Sequence, residues 1–149
     1  MAFSAPDLTQ RPPRSPRVRL GGFVVLARAI DKGRATIARK NGEYHFDCPL
    51  DKMCFNFIGI TGAALKKELA KGKSDSEILA WIEKTAKHDR CAGTIYLWSK
   101  LMEDRAPTSV DTRGYYNELV KACAPKREDI GTWFEMLDVD DYVTFGGKP

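Results

Sequence analysis

The sequence predicts an all-α fold: a single compact domain of about six or seven short helices, with an extended N-terminal arm rich in arginine and proline. Apolar residues recur at helical spacing in successive segments, and capping residues, glycine or proline bound most of these segments. No segment predicts a convincing sheet. With 149 residues, 43% hydrophobic and 30% charged, the chain suits one soluble globular domain. We therefore expect residues 1–149 to form a single domain.

The first 22 residues are predicted to form the extended arm, packed on the helices. Four of the eight prolines lie before residue 20, and proline fixes φ and removes a backbone donor. The arginines interleaved with these prolines are Arg11, Arg14, Arg17 and Arg19. A glycine pair at residues 21–22 marks a turn before the first helix.

The first helix is predicted over residues 23–40. Phe23, Leu26, Ile30 and Ile37 fall on one face of it. Gly33 lies on the same face, where the missing side chain permits close approach by a neighbouring element.

Capping residues predict where three helices begin in the middle of the chain. Asp51 is predicted to cap a short helix that ends near residue 57, and Thr61 is predicted to cap the next. Ser74 and Glu77 have the spacing of a capping box, which opens another helix.

Three further helices are predicted in the last third. One starts near Gly93 and another near Asp111, and Pro125 suits the first turn of the last helix. Residues 138–149 are predicted to form a partly flexible acidic tail, which frays except near residues 142–145. Its aspartates at 138, 140 and 141 are interpreted as a solvated helix end.

Charge is distributed unevenly along the chain. Residues 1–40 contain nine basic and two acidic groups, whereas residues 125–149 contain three basic and six acidic groups. The two ends are therefore expected to attract each other across the fold. The overall charge of +4 is too small to indicate nucleic-acid binding.

No apolar run reaches the roughly 20 residues that span a bilayer, so no membrane association is predicted. The N-terminus has no secretory leader pattern, and a cytoplasmic protein is expected. The four cysteines are widely spaced, which favours free thiols in a reducing compartment.

The candidate site is residues 42–51, hereafter segment 42–51, because it concentrates reactive groups in ten residues. In the first interpretation, the segment binds the arginines of the arm, because arginine pairs with carboxylates and stacks on aromatic rings. This interpretation predicts a ligand-binding surface built from the arm, the first helix and the segment. Its residues are Arg14, Arg17, Lys32, Tyr44, Asp47 and Asp51.

Two alternatives remain open for the same segment. One alternative is an enzyme, with a thiol site at Cys48, His45 and Asp47 or a carboxylate site at Asp47 and Asp51. Proximity in sequence does not by itself establish contact between these side chains. A zinc site is the other alternative, because both histidines are followed three residues later by cysteine. The four zinc candidates are His45, Cys48, His88 and Cys91.

Two ordered stretches resemble a known family. One is Arg11-Pro-Pro-Arg-Ser-Pro-Arg-Val-Arg-Leu-Gly-Gly, leading into Ile30-Asp-Lys-Gly-Arg-Ala. The other is segment 42–51, leading to Phe57-Ile-Gly-Ile. The chain resembles the bacterial family catalogued as domain of unknown function 5069 over most of its length, most densely from residue 8 to 60. The resemblance implies a small bacterial helical domain that includes the arm, and it implies no reaction, cofactor or catalytic residue.

The sequence alone leaves the function open. Its leading hypothesis is a non-catalytic module that binds a small molecule or a protein partner, with an enzyme less favoured and no cofactor indicated. The oligomeric state is not predicted.

Overall fold

The computed structural model describes residues 4–88 and 90–149, and these residues form seven α-helices and no β-strand. The helices are α1 (Leu26–Ile37), α2 (Pro49–Ile58), α3 (Gly62–Leu69), α4 (Asp75–Thr85), α5 (Ala92–Asp104), α6 (Val110–Cys123) and α7 (Trp133–Thr144). The all-α prediction is confirmed. In the described part of the chain, no helix has the length and apolar character needed to cross a membrane.

The arm is extended and belongs to the fold, although residues 1–3 lie outside the described residues. Leu8, Pro13 and Pro16 are buried. Two backbone hydrogen bonds fix the arm: the Leu8 N–H donates to the Lys40 carbonyl at 2.8 Å, and the Val25 N–H donates to the Pro16 carbonyl at 2.9 Å. These contacts place the arm across both ends of α1.

Helix α1 lies in the centre of the molecule, because every residue from Leu26 to Ala35 is buried. The predicted single apolar face is therefore wrong in two respects. Phe23 precedes the helix, and Ile37 is 40% exposed at its end. Val25 precedes α1 with a φ of 71°, a conformation that strains a β-branched residue and separates the arm from the helix.

The predicted caps of α3 and α4 are confirmed, whereas the cap of α2 is not. Thr61 accepts the Ala64 N–H, and Ser74 forms a capping box with Glu77. Helix α2 instead begins at Pro49 and follows Cys48, because proline suits the first helical position. Asp51 lies inside the first turn.

The last helix begins later and ends later than predicted. It starts at Trp133 after a capping box at Thr132, not at Pro125. The predicted fraying of 138–149 is wrong for its first half, since α7 continues to Thr144. Two of its aspartates are bound by arginines, Asp138 by Arg17 and Asp141 by Arg28, and these bonds hold the helix to the arm and to α1.

The main apolar core lies between α1 and the helices packed around it. Helices α1, α2 and α3 contact one another, and α6 packs on α7. The largest fully buried side chains in this core are Leu26, Ile30, Phe55, Ile58, Leu65, Ile78, Met102 and Phe134. Each such side chain contributes about 1.5–3 kcal/mol relative to an exposed one.

Gly33 permits the close packing of α1 that the sequence predicts. A Cβ at this position would lie 2.6 Å from Leu69 Cδ1 and 3.1 Å from Phe46 Cε2. We expect Gly33→Ala to lower the free energy of unfolding by about 1–2 kcal/mol, because overpacking outweighs the better helix propensity of alanine. Urea unfolding monitored by circular dichroism measures this.

Gly114→Ala is the matched control. Gly114 lies within α6, and an added Cβ meets nothing within 4 Å. We expect this variant to gain about 0.5–1 kcal/mol from helix propensity. Equal effects of the two substitutions would contradict close packing at Gly33.

Candidate functional site

Segment 42–51 contains two turns before α2 begins. Gly42 has a φ of 52°, and an added Cβ there would lie 3.0 Å from the Leu8 carbonyl oxygen. The Asn41 side-chain amide donates to the Tyr44 carbonyl at 3.0 Å. Asp47 has a φ of 62°, and its N–H donates to Asp51 Oδ2 at 2.9 Å. These turns bring Tyr44, and then the start of α2, against α1.

A buried lysine connects α1 to the start of α2. Lys32 Nζ lies 2.8 Å from Asp51 Oδ1, and the two side chains are only 5% and 0% exposed. Lys32 Nζ also donates to Cys48 Sγ at 3.3 Å. The Asp51 carboxylate thus neutralises Lys32 through one oxygen and holds the Asp47 N–H through the other.

A second buried cation lies one turn earlier on α1. Arg28 donates to both carboxylate oxygens of Asp141, at 2.6 and 3.1 Å, and its guanidinium lies 5.5 Å from the Tyr44 ring centroid. Burial opposes the charge of Arg28, but the hydrogen bonds to Asp141 outweigh it and raise the Arg28 pKa. The Tyr44 hydroxyl donates to Asp141 at 2.8 Å. Burial and this contact raise the Tyr44 pKa, so the phenol stays protonated.

These two clusters form one side of a pocket of about 500 Å³, hereafter the main pocket. Lys32 and Arg28 contribute charged groups from α1, and most of the other lining residues come from segment 42–51, α2 and α7. The remaining lining residues are Glu43, Tyr44, His45, Cys48, Pro49, Leu50, Met53, Arg105, Trp133, Met136, Leu137, Asp140 and Thr144. A concave, largely apolar site of this size, with a few convergent polar groups, is typical of small-molecule sites.

The model of one family, described as Domain of unknown function (DUF5069), matches residues 10–143. The chain belongs to this family. The resemblance noted from the two sequence stretches is thereby confirmed, and the match includes most of the arm. No curated protein matches the chain. Membership in DUF5069 assigns no ligand or reaction, so the site has to be interpreted from its geometry.

The arm is held by ion pairs, as predicted, but to other carboxylates than Asp47 and Asp51. Arg14 contacts both oxygens of Asp31 at 2.9–3.0 Å and Asp75 at 2.7 Å. Burial opposes ionisation of Asp75, but the Arg14 hydrogen bond outweighs it, and the Asp75 pKa is lowered. The prediction that Tyr44, Asp47 and Asp51 bind the arm is therefore wrong. Buried Lys32 pairs with Asp51, and buried Arg28 lies against Tyr44.

The predicted attraction between the oppositely charged ends is confirmed. Arg17 Nε donates to Asp138 at 3.0 Å, and the Ser15 hydroxyl donates to the same carboxylate at 2.7 Å. Arg19 continues the pattern with Glu103 at 2.9 Å. The arm thus crosses α7 and α5 and closes the fold beside the main pocket, but Arg14 and Arg17 do not line this pocket.

The structure separates the four zinc candidates. His45 and Cys48 line the main pocket, whereas His88 lines a different cavity beside Gly59. Cys91 Sγ lies 3.2 Å from the Thr94 hydroxyl. Among residues 4–88 and 90–149, no three histidine, cysteine or acidic side chains are placed to hold a metal ion. The two histidine–cysteine pairs lie on separate elements, so the zinc interpretation through these residues is wrong.

Cys48, His45 and Asp47 are not assembled as a catalytic set. No hydrogen bond joins any two of their side chains in the described chain. His45 is exposed, and the Asp47 carboxylate packs against the backbone of Gly62, where glycine leaves room for it. The structure brings together Lys32, Cys48 and Asp51 instead.

Sequence reasoning missed much of the site. Arg28 lies in an apolar run, where a buried arginine requires a partner, and this was the available signal. Asp141 was interpreted as solvated, although it is only 6% exposed. Met53, Arg105 and the α7 side of the pocket carry no sequence signal, because only the packing of α7 beside α2 makes them neighbours.

The Lys32–Asp51 pair provides a test of the site. We expect Lys32→Met to lower the free energy of unfolding by about 3–5 kcal/mol, because it leaves a buried carboxylate without a cation. Adding Asp51→Asn, which keeps an oxygen for the Asp47 N–H, should restore part of that loss. A double-mutant cycle by urea unfolding at pH 7 measures the coupling. Additive effects, within about 0.5 kcal/mol, would contradict a direct pair.

Proposed function

We propose that this domain is a non-catalytic module that binds a small organic molecule in the main pocket. One observation carries the proposal: a pocket of about 500 Å³ with apolar walls is closed on one side by two buried cations whose positions are fixed. Such a pocket exposes apolar surface to water when empty, and a ligand of matching shape removes that surface from water.

Binding is favoured over catalysis because three polar groups of the main pocket, Arg28, Lys32 and Tyr44, are held by buried carboxylates. Lys32 is paired with Asp51, and Arg28 with Asp141. Tyr44 donates its proton to Asp141, and its raised pKa removes it from acid–base chemistry near neutral pH. These groups are pre-organised and orient a bound molecule without exchanging protons with it.

A small molecule is favoured over a protein partner by the shape of the site. The apolar lining, Leu50, Met53, Trp133, Met136 and Leu137, surrounds a cavity and does not form a flat patch. Two methionines provide side chains that adapt to an irregular ligand. Trp133 supplies an aromatic surface for stacking.

A neutral aromatic probe, N-phenyl-1-naphthylamine, tests the proposed pocket. We expect saturable binding, detected as increased probe fluorescence, to the unmodified protein. Met53→Trp should weaken this binding at least about tenfold, because the larger side chain fills the pocket from its exposed rim. Fluorescence titration measures both affinities.

Leu97→Trp is the control variant, since Leu97 is 68% exposed on α5 and does not line the main pocket. It should bind the probe as the unmodified protein does. Absence of saturable binding, or equal weakening in the two variants, would argue against the main pocket as a ligand site. Circular dichroism confirms that both variants are folded.

A reactive thiol is the second candidate, favoured by the contact between Lys32 Nζ and Cys48 Sγ at 3.3 Å. Cys48 also directly precedes α2, where the helix dipole favours negative charge. Both features favour the Cys48 sulfur as a nucleophile toward a molecule in the main pocket.

Thiol labelling separates the two candidates. Cys91 is exposed, and the Thr94 hydroxyl lowers its pKa, so Cys91 provides an internal reference, whereas Cys54 and Cys123 are buried. A non-catalytic module predicts that iodoacetamide modifies Cys48 no faster than Cys91, as followed by peptide mass spectrometry. Modification of Cys48 more than about tenfold faster, with loss of that excess in Lys32→Met, would instead support the reactive thiol.

A further inference from the structure

Arg105 differs from the other buried or half-buried cations of the main pocket. Arg28 and Lys32 are each paired with a carboxylate. The contact found for the Arg105 side chain is different: its Nη1 lies 3.1 Å from Met53 Sδ. A thioether is a weak acceptor and does not neutralise a guanidinium. Within residues 4–88 and 90–149, no carboxylate lies within ion-pair distance of Arg105.

Arg105 is held in position by its backbone. It is the C-cap residue that directly follows α5, and its carbonyl accepts the Trp133 N–H at 3.0 Å. This bond fixes the end of α5 against the start of α7. The Arg105 guanidinium, half-buried beside Met53, therefore lies at the same end of the main pocket as Trp133.

The two ends of the main pocket carry opposite charges. Trp133, Met136, Leu137 and Asp140 line it from one face of α7, at the spacing of a helix. Trp133 and Asp140 are seven positions apart on the helix, which corresponds to about 10 Å. Asp140 places a carboxylate in the lining at one end of this face, and partial burial and the neighbouring Asp141 raise its pKa. An anionic group is thus repelled from the Asp140 end and attracted to the Arg105 end.

We propose that the ligand of the main pocket is an organic carboxylate with an apolar body, and that the Arg105 guanidinium binds its carboxylate. This proposal rests on the proposed function and names its ligand class. A guanidinium presents two parallel N–H donors that match the two oxygens of a carboxylate. The apolar body lies along Met136 and Leu137, and the end of the molecule near Asp140 is uncharged or cationic.

A matched pair of probes isolates the head group. 3-Phenylpropionate and 3-phenylpropionamide have the same apolar body and differ in the charge of the head. Each is titrated against the complex with N-phenyl-1-naphthylamine, and its inhibition constant is measured from the loss of fluorescence. We expect the acid to displace the dye at about a tenfold lower concentration than the amide, because its hydrogen bonds to Arg105 are charge-assisted.

Arg105→Gln should reduce that ratio to about one, with both inhibition constants corrected for the affinity of the variant for the dye. Arg39→Gln is the control: Arg39 is exposed and outside the main pocket, and the substitution removes the same charge from the protein. It should keep the tenfold preference. Circular dichroism spectra of both variants should match that of the unmodified protein.

The outcomes separate the two proposals. Suppose that dye binding is lost in Met53→Trp but the preference for the acid survives Arg105→Gln. This result overturns the role of Arg105 and supports the main pocket as a ligand site. An unmodified protein in which the acid displaces the dye no better than the amide overturns the carboxylate ligand. Dye binding that does not depend on Met53 overturns the proposed function itself, and the ligand class with it.

Discussion

Burial of a charged helix is the constraint on which this fold depends. Helix α1 lies at the centre of the molecule and places four charged side chains where water is largely excluded. Each is neutralised by a different part of the chain: Arg28 by Asp141, Asp31 by Arg14, Lys32 by Asp51 and Arg34 by Asp75. An unpaired buried charge destabilises a protein by several kcal/mol, so the arm, α2, α4 and α7 must all be docked for α1 to be buried.

The same constraint divides α1 into two sides. Arg28 and Lys32 are four residues apart and both line the main pocket, whereas Asp31 and Arg34 are three residues apart and both line the cavity under the arm. The arm side is closed by Arg14, which connects Asp31 to Asp75. The pocket side keeps open space between α1, α2 and α7, and this is the space in which we propose that a ligand binds.

The segment singled out from the sequence lines part of the main pocket, but several of its contacts differ from those predicted. Segment 42–51 does carry Tyr44 and Cys48 to the main pocket, as the density of reactive groups suggested. The carboxylates assigned to the arm arginines were wrong because Lys32 in the preceding helix was nearer to Asp51 than any arm residue. A sequence shows which charges exist, but the choice among several possible partners depends on distances that only packing determines.

The sequence by itself determined the all-α class, the extended arm, the capping box of α4 and the attraction between oppositely charged ends, because these follow from local backbone preferences and from charge counts. The tertiary structure decided that α7 continues to Thr144, that Arg28 pairs with Asp141, and that Arg105 lies beside Met53. These features join residues 52 to 113 positions apart in the chain. Such contacts form only when the whole core is assembled, since no local pattern encodes them.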